Sequence, residues 1–206
     1  MSQARFDTYF HDRAHRFSSF YRSEPVARAL GRGPLFDRLR YAVDTVVALG
    51  ARKVLDVGCG SGPLFEPLAA RGVHVTGIDP ADAMVALARE KAKAAPTLIT
   101  VEQRGWEEIE EHDSYDVAVA LGVFDYVDDP SDLLRRMSGA APHVVGSFPA
   151  PGFRLQLRKV RYGARGVHVH PYSEDDLKTL ANTGGLEIAE LRPLGRAGYA
   201  VHFSRT

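Results

Sequence analysis

The chain has 206 residues, 45% of them hydrophobic, enough for one well-filled core and short for two. Its 26 basic and 26 acidic side chains cancel, which argues against a general nucleic-acid binder, since phosphate backbones call for a basic excess. A single cysteine, Cys59, excludes an intramolecular disulfide. The opening stretch is too charged for a signal peptide, and no apolar run approaches the roughly 20 residues that cross a bilayer. A cytoplasmic protein without stable membrane insertion is therefore expected.

The aromatic and basic segment ending in Phe20, Tyr21 and Arg22 reads as an arm, residues 1–32, either a substrate lid or a plain helix packed on the domain. Leu35, Leu39, Val43 and Val46 recur at helical spacing and predict a helix over about 33–49, stopped by Gly50. "KVLDV" follows as a strand, then a helix from Gly62 to Arg71. "VHVTGID" is a second strand, and a helix opens at Pro80. "TLITVEQ" and "YDVAVALGVF" are the third and fourth strands, the latter apolar on both faces as a central parallel strand should be. "SDLLRRM" predicts a helix capped by Ser131. "PHVVGSF", "LEIAELRPL" and "YAVHFS" are the remaining strands, with a capped helix at "SEDDLKTLANTGG" before the last two. Alternation predicts an α/β fold: a doubly wound, mostly parallel seven-stranded sheet with helices on both faces. Only "GRAG" separates the last two strands, which forces an antiparallel hairpin.

One stretch carries the chemistry. "VLDVGCGSG" sets Gly58, Gly60 and Gly62 directly after a strand, so the backbone can turn and approach a ligand closely. A dinucleotide loop wants a glycine three residues after Gly60, where Pro63 stands, and Asp56 would repel a pyrophosphate. The acid suits instead a ligand with an ammonium and a sulfonium. Asp79 closes the second strand, where an acid can hold the two hydroxyls of a ribose.

"DVGCGSG", Asp79 and the terminal hairpin together resemble class I S-adenosylmethionine-dependent methyltransferases, over about residues 35–206. The resemblance implies S-adenosylmethionine as cofactor and S-adenosylhomocysteine as product. It places Asp56, Gly58, Cys59 and Gly60 at the methionine end; read by itself, Cys59 is a small buried filler of the loop. Asp79 would hold the ribose and Pro80 or Met84 pack on the adenine. Gly105 and Trp106 stand where the family often has an aspartate and an apolar residue, so adenine contacts would rest on Trp106 and backbone. Leu121 and Gly122 would offer backbone groups to the methionine moiety. "SFP", the arginine-rich stretch and "HPYS" are faintly similar to magnesium-protoporphyrin O-methyltransferases.

The acceptor side is read from the residues. Asp125, Tyr126, His168 and His170 are the candidates for accepting a proton, with a plain strand end as the alternative for the first two. His168 and His170 share a face of an extended segment, but two ligands make a weak metal site, and none is expected. From Leu133 to Ser173 there is no acid, while arginines abound. That stretch is a solvated face, an anion site formed by Arg154, Arg158 and Arg161, or a patch for peripheral contact with anionic lipid. Residues 149–173 form the substrate-side insertion, Tyr21 and Tyr172 being further substrate contacts; residues 33–148 are the cofactor half and 174–206 the closing helix and hairpin of one domain. The expected function is methyl transfer to a small metabolite, with an anionic one favoured. A non-catalytic cofactor-binding module and a nicotinamide-dependent oxidoreductase are the alternatives. The sequence leaves the oligomeric state open.

Overall fold

The computed structural model describes residues 24–29, 31–110, 112, 114–152 and 169–205. The elements run, in chain order, α1 (Glu24–Ala29), α2 (Gly33–Ala48), β1 (Lys53–Val57), α3 (Phe65–Ala69), β2 (His74–Ile78), α4 (Asp82–Ala92), β3 (Ile99–Glu102), β4 (Val117–Leu121), α5 (Pro130–Ala140), β5 (His143–Pro149), α6 (Glu174–Thr183), β6 (Leu186–Pro193) and β7 (Gly198–Arg205). Short 3₁₀ turns lie at Trp106–Glu108 and Gly195–Ala197. Among the described residues, no helix is long and apolar enough to cross a membrane.

The seven strands form one sheet in the order β3-β2-β1-β4-β5-β7-β6. Neighbours are parallel as far as β5, and β7 runs antiparallel to both β5 and β6. The strand order reverses beside β1, so the carboxyl ends of β1, β2 and β4 open a crevice there. Side chains alternate across the sheet and bury two cores. Val54, Val119 and Val145 pack with Tyr41, Ala42 and Val46 of α2, and with Leu68 and Ala88 of the next two helices. Leu55, Ala118 and Val144 pack on the other face with Leu134, Met137 and Leu177 of α5 and α6.

Local chemistry sets the element ends. Helix α6 opens on Ser173, whose Oγ accepts from Asp176 N at 3.2 Å while Asp176 Oδ2 accepts from Ser173 N at 2.8 Å, a capping box. Helix α5 is capped by Asp129, which accepts from Asp132 N at 3.0 Å, and not by Ser131. Pro130 explains the shift: with no N–H to satisfy and φ preset, it fits the first helical position, leaving Ser131 inside. Strand β4 stops at Leu121, so Gly122-Val123-Phe124 belongs to a turn and not to the strand. Helix α3 is shorter than the expected 62–71, because residues 62–64 are spent on the turn after β1. Helix α4 starts two residues after Pro80 and ends at Ala92, before i→i−3 bonds tighten the chain toward Leu98.

Candidate functional site

The loop after β1 is built to let a ligand reach its backbone. Gly58 (φ 64°) and Gly60 (φ 54°) both occupy the left-handed region that favours glycine. A Cβ on Gly58 would lie 2.5 Å from Cγ2 of Val123, so the two loops close on one another there. A Cβ on Gly60 would meet nothing within 4 Å, so its backbone faces open space. Cys59 N donates to Ile78 O at 3.0 Å and ties the loop to β2. Cys59 is 3% exposed, and burial first, then Asp56 and Asp79, pushes its thiol well above the ordinary range; it fills space and is no nucleophile.

Two carboxylates frame this loop. Asp79 accepts from Gly60 N with Oδ2 and from Ala81 N with Oδ1, both at 2.9 Å, so it holds the glycine turn and starts the chain toward α4. Asp56 is 3% exposed, and its Oδ2 has no hydrogen-bond partner among the described residues. Burial, followed by the negative charge of Asp79, holds its carboxyl well above the usual carboxylate range. A buried acid without a donor is costly unless a cation meets it. An ammonium group beside the glycine loop fits that requirement, as the amino-acid end of S-adenosylmethionine would supply.

The sequence reading missed Arg38. Strand alternation puts Asp56, Leu121 and Ser147 on the face covered by α2, and Arg38 reaches over that face from the first half of the helix. Its Nη1 donates to Ser147 Oγ at 3.4 Å, and a Cβ on Gly122 (φ 85°) would lie 2.7 Å from the same nitrogen. A guanidinium therefore stands at the carboxyl ends of β4 and β5, on the same side of the sheet as Asp56. The available signal was an arginine in register with the buried stripe Tyr41, Ala42, Thr45 and Val46.

The remaining cofactor candidates line the same edge. Met84 is buried in a small cluster with Ala81, and Pro80 is half-buried beside it. Gly105 N donates to Glu108 Oε1 at 2.9 Å, and the half-buried Trp106 packs on the core. The turn after β4 and the segment 169–172, expected on the acceptor side, are joined. His170 N donates to Asp125 O at 2.9 Å, Tyr172 Oη to Phe124 O at 3.0 Å and Tyr172 N to Pro149 O at 2.8 Å. His170 Nε2 lies 3.4 Å from Asp128 Oδ1. Asp125 is buried and Tyr126 half-buried in this turn, beyond the end of β4, so the alternative that they end the strand does not hold. Tyr172, expected as a substrate contact, is buried edge-on against Phe148, and burial, then Asp125, pushes its phenol upward. Its hydroxyl is spent on a backbone carbonyl, which makes it a strut for the turn. Tyr21, Arg154, Arg158, Arg161 and His168 lie outside the described residues.

Comparison with known proteins agrees with this geometry. A family model described as Methyltransferase domain matches residues 9–191. The ubiquinone biosynthesis O-methyltransferase of Marinobacter nauticus is 37% identical over 110 residues, 50% of this chain and 46% of that one. That of Bradyrhizobium diazoefficiens is 30% identical over 121 residues, 59% of this chain and 48% of the other. The chain thus spans about half the length of these curated relatives. Among solved structures, magnesium protoporphyrin IX methyltransferase from Synechocystis with bound S-adenosylhomocysteine superposes with a TM-score of 0.81 at 22% identity, covering 100% of both chains. The 1,6-didemethyltoxoflavin-N1-methyltransferase of Burkholderia thailandensis gives 0.74 at 17% identity over 98% of this chain and 88% of its own. By a family match spanning most of its length, and by a glycine loop framed by two acids, the chain belongs to the methyltransferase-domain family, as a class I S-adenosylmethionine-dependent methyltransferase.

Proposed function

We propose that the chain transfers a methyl group from S-adenosylmethionine to a small, anionic metabolite. The observation that carries this reading is Asp56, a buried carboxylate with an oxygen left without a donor beside an open glycine loop. Asp56 would take the ammonium of the cofactor's amino-acid end, and Arg38, on the same face of the sheet, its carboxylate. Gly58, Gly60, Leu121 and Gly122 would present backbone, Asp79 its carboxylate to the ribose hydroxyls, and Pro80, Met84 and Trp106 apolar surface to the base.

The bound cofactor supplies a methyl carbon on a sulfonium, transferred by in-line displacement with the electron pair left on sulfur. Because that carbon is already activated, the chain's main contribution is to hold the two partners in line. Where the acceptor is a hydroxyl, its proton needs a base, and Asp125 and His170, whose main chains are joined by the bond from His170 N to Asp125 O, would supply it. Tyr126 shares their turn and His168 precedes the same segment. Arg154, Arg158 and Arg161 would pair with an acidic group on the acceptor, which is what the acid-free run 133–173 favours.

The test is formation of S-adenosylhomocysteine from S-adenosylmethionine in the presence of a panel of small carboxylates and phenols. Turnover is expected with members of the acidic subset, and Arg38→Ala is expected to raise the KM for the cofactor about tenfold or more, the weight of a charged hydrogen bond, with a smaller effect on kcat. A normal KM in that variant would remove Arg38 from the site; turnover confined to uncharged acceptors would remove the anionic substrate.

A further inference from the structure

The opposite edge of the sheet, where β1 and β2 begin, carries a second group of side chains. Helix α2 ends at Ala48 and turns through Gly50 (φ 64°) into β1, and α3 ends at Ala69 and turns through Gly72 (φ 75°) into β2. Because β1 and β2 are parallel neighbours, the two turns lie side by side, tied by the bond from His74 N to Arg52 O at 2.8 Å. Between them is an open hollow of about 410 Å³, within the size range of small-molecule sites. Val47, Ala51 and Val73 give it apolar surface, and Arg52, Arg71 and His74 give it donors. Among the described residues, no acid lines it.

A basic residue after a helix ordinarily serves the last carbonyls of that helix. Arg71 does so in part: its Nη1 donates to Pro67 O at 2.6 Å, which leaves the rest of its fork. Arg52 has no such task, since Thr45 O, Val46 O and Val47 O of α2 already accept from Leu49 N, Ala51 N and Gly50 N. Asp116, just before β4, spends Oδ2 on the Arg52 and Lys53 N–H groups at 2.7 and 2.8 Å and does not line the hollow. Neither the Arg52 guanidinium nor the His74 ring has a hydrogen-bond or ion-pair partner among the described residues. Two cationic forks gathered without an acid repel one another, and an anion between them reverses that cost. A carboxylate brings two oxygens and one charge. A phosphate monoester brings three oxygens and up to two charges, the better match for two forks and an imidazole N–H.

We propose that the hollow between the α2–β1 and α3–β2 turns binds a small organic phosphate, its phosphate held by Arg52, Arg71 and His74 and its apolar body by Val47, Ala51 and Val73. The site lies the length of β1, roughly 15 Å, from the glycine loop and does not depend on the cofactor reading.

The experiment is calorimetric titration of the full chain with phenyl phosphate in phosphate-free buffer of low salt, with inorganic phosphate, benzoate and phenol as comparisons. Saturable binding of phenyl phosphate is expected, tighter than that of the other three and unchanged by saturating S-adenosylhomocysteine. It should weaken about tenfold in Arg52→Ala and further when Arg71→Ala is added, the weight of charged hydrogen bonds. All three basic side chains are exposed, so these variants should keep the parent's urea midpoint. Absence of saturable binding, or equal affinity in the double variant, would overturn the site, and displacement by S-adenosylhomocysteine would move the ligand to the glycine loop. Benzoate binding as tightly as phenyl phosphate would overturn the choice of phosphate. Retention on phosphatidate vesicles without binding of phenyl phosphate would make the hollow a headgroup site and overturn the soluble ligand. Were S-adenosylhomocysteine itself not to bind, the cofactor reading would fall while the arginine variants still decided this one.

Discussion

At the scale of single residues, Asp56 is a group whose burial the folded chain alone does not repay. Its folded pKa is raised, so its contribution to stability is complete below the ordinary carboxylate range and is lost as pH rises through the folded value. Near neutrality, ionising it without a counter-cation costs the fold. Asp56→Asn removes that cost while keeping the shape. The variant should therefore unfold at a higher urea midpoint than the parent at neutral pH, and bind S-adenosylhomocysteine more weakly by about 2 kcal/mol, the scale of a charged hydrogen bond. A variant that is less stable and binds normally would mean that Asp56 is a structural acid. The glycine turn and the positions of Asp56 and Asp79 beside it were readable because they depend on residue type at fixed offsets from a strand end; their roles toward a cofactor are proposals. Arg38 was not, since a lone arginine in an amphipathic helix looks solvated until the sheet beneath it is known. The partner of Tyr172 was hidden for a related reason: a tyrosine after an arginine-rich loop suits a ligand contact as well as it suits the Phe124 carbonyl, to which its hydroxyl donates.

At the scale of elements, alternating apolar runs and helical stripes located all seven strands and the hairpin. The errors fell at element ends, where tertiary contacts decide. Phe124 is fully buried with its ring 4.4 Å from that of Phe148, so an apolar residue that looked like strand is core reached from a turn. The hairpin carries a second titratable feature. His202 of β7 is 8% exposed, with Nε2 3.2 Å from Nδ1 of His143 on β5. Burial, then His143, lowers its pKa, and Glu190 opposes them. The unfolded chain binds that proton more readily, so this pair's contribution is intact above the ordinary histidine pKa of about 6.5 and is lost as pH falls below it. Urea midpoints measured from pH 8 to pH 5 should drop on the acid side, and drop less in His202→Gln. Identical slopes in the two proteins would place the acid sensitivity elsewhere.

At the scale of the whole molecule, one sheet edge divides the labour. The ends of β1 and β2 carry the acids and glycines, the guanidinium of Arg38 stands over the ends of β4 and β5, and the turn after β4 is tied to the segment 169–172, which in the proposed reading would face the acceptor. The acceptor half was the less legible, because methyl transfer demands position more than a particular side chain, so no fixed motif marks it. Its proposed anion site depends on the acid-free stretch beyond β5. The measurement that tests the account most directly is calorimetric titration of the full chain with S-adenosylhomocysteine, with NAD as comparison and Asp79→Ala as the variant. The account predicts saturable binding of S-adenosylhomocysteine alone, weakened by about 1 to 3 kcal/mol in the variant as its charge-assisted bonds are lost. Binding of NAD in preference, or affinity for S-adenosylhomocysteine untouched by the loss of Asp79, would contradict it.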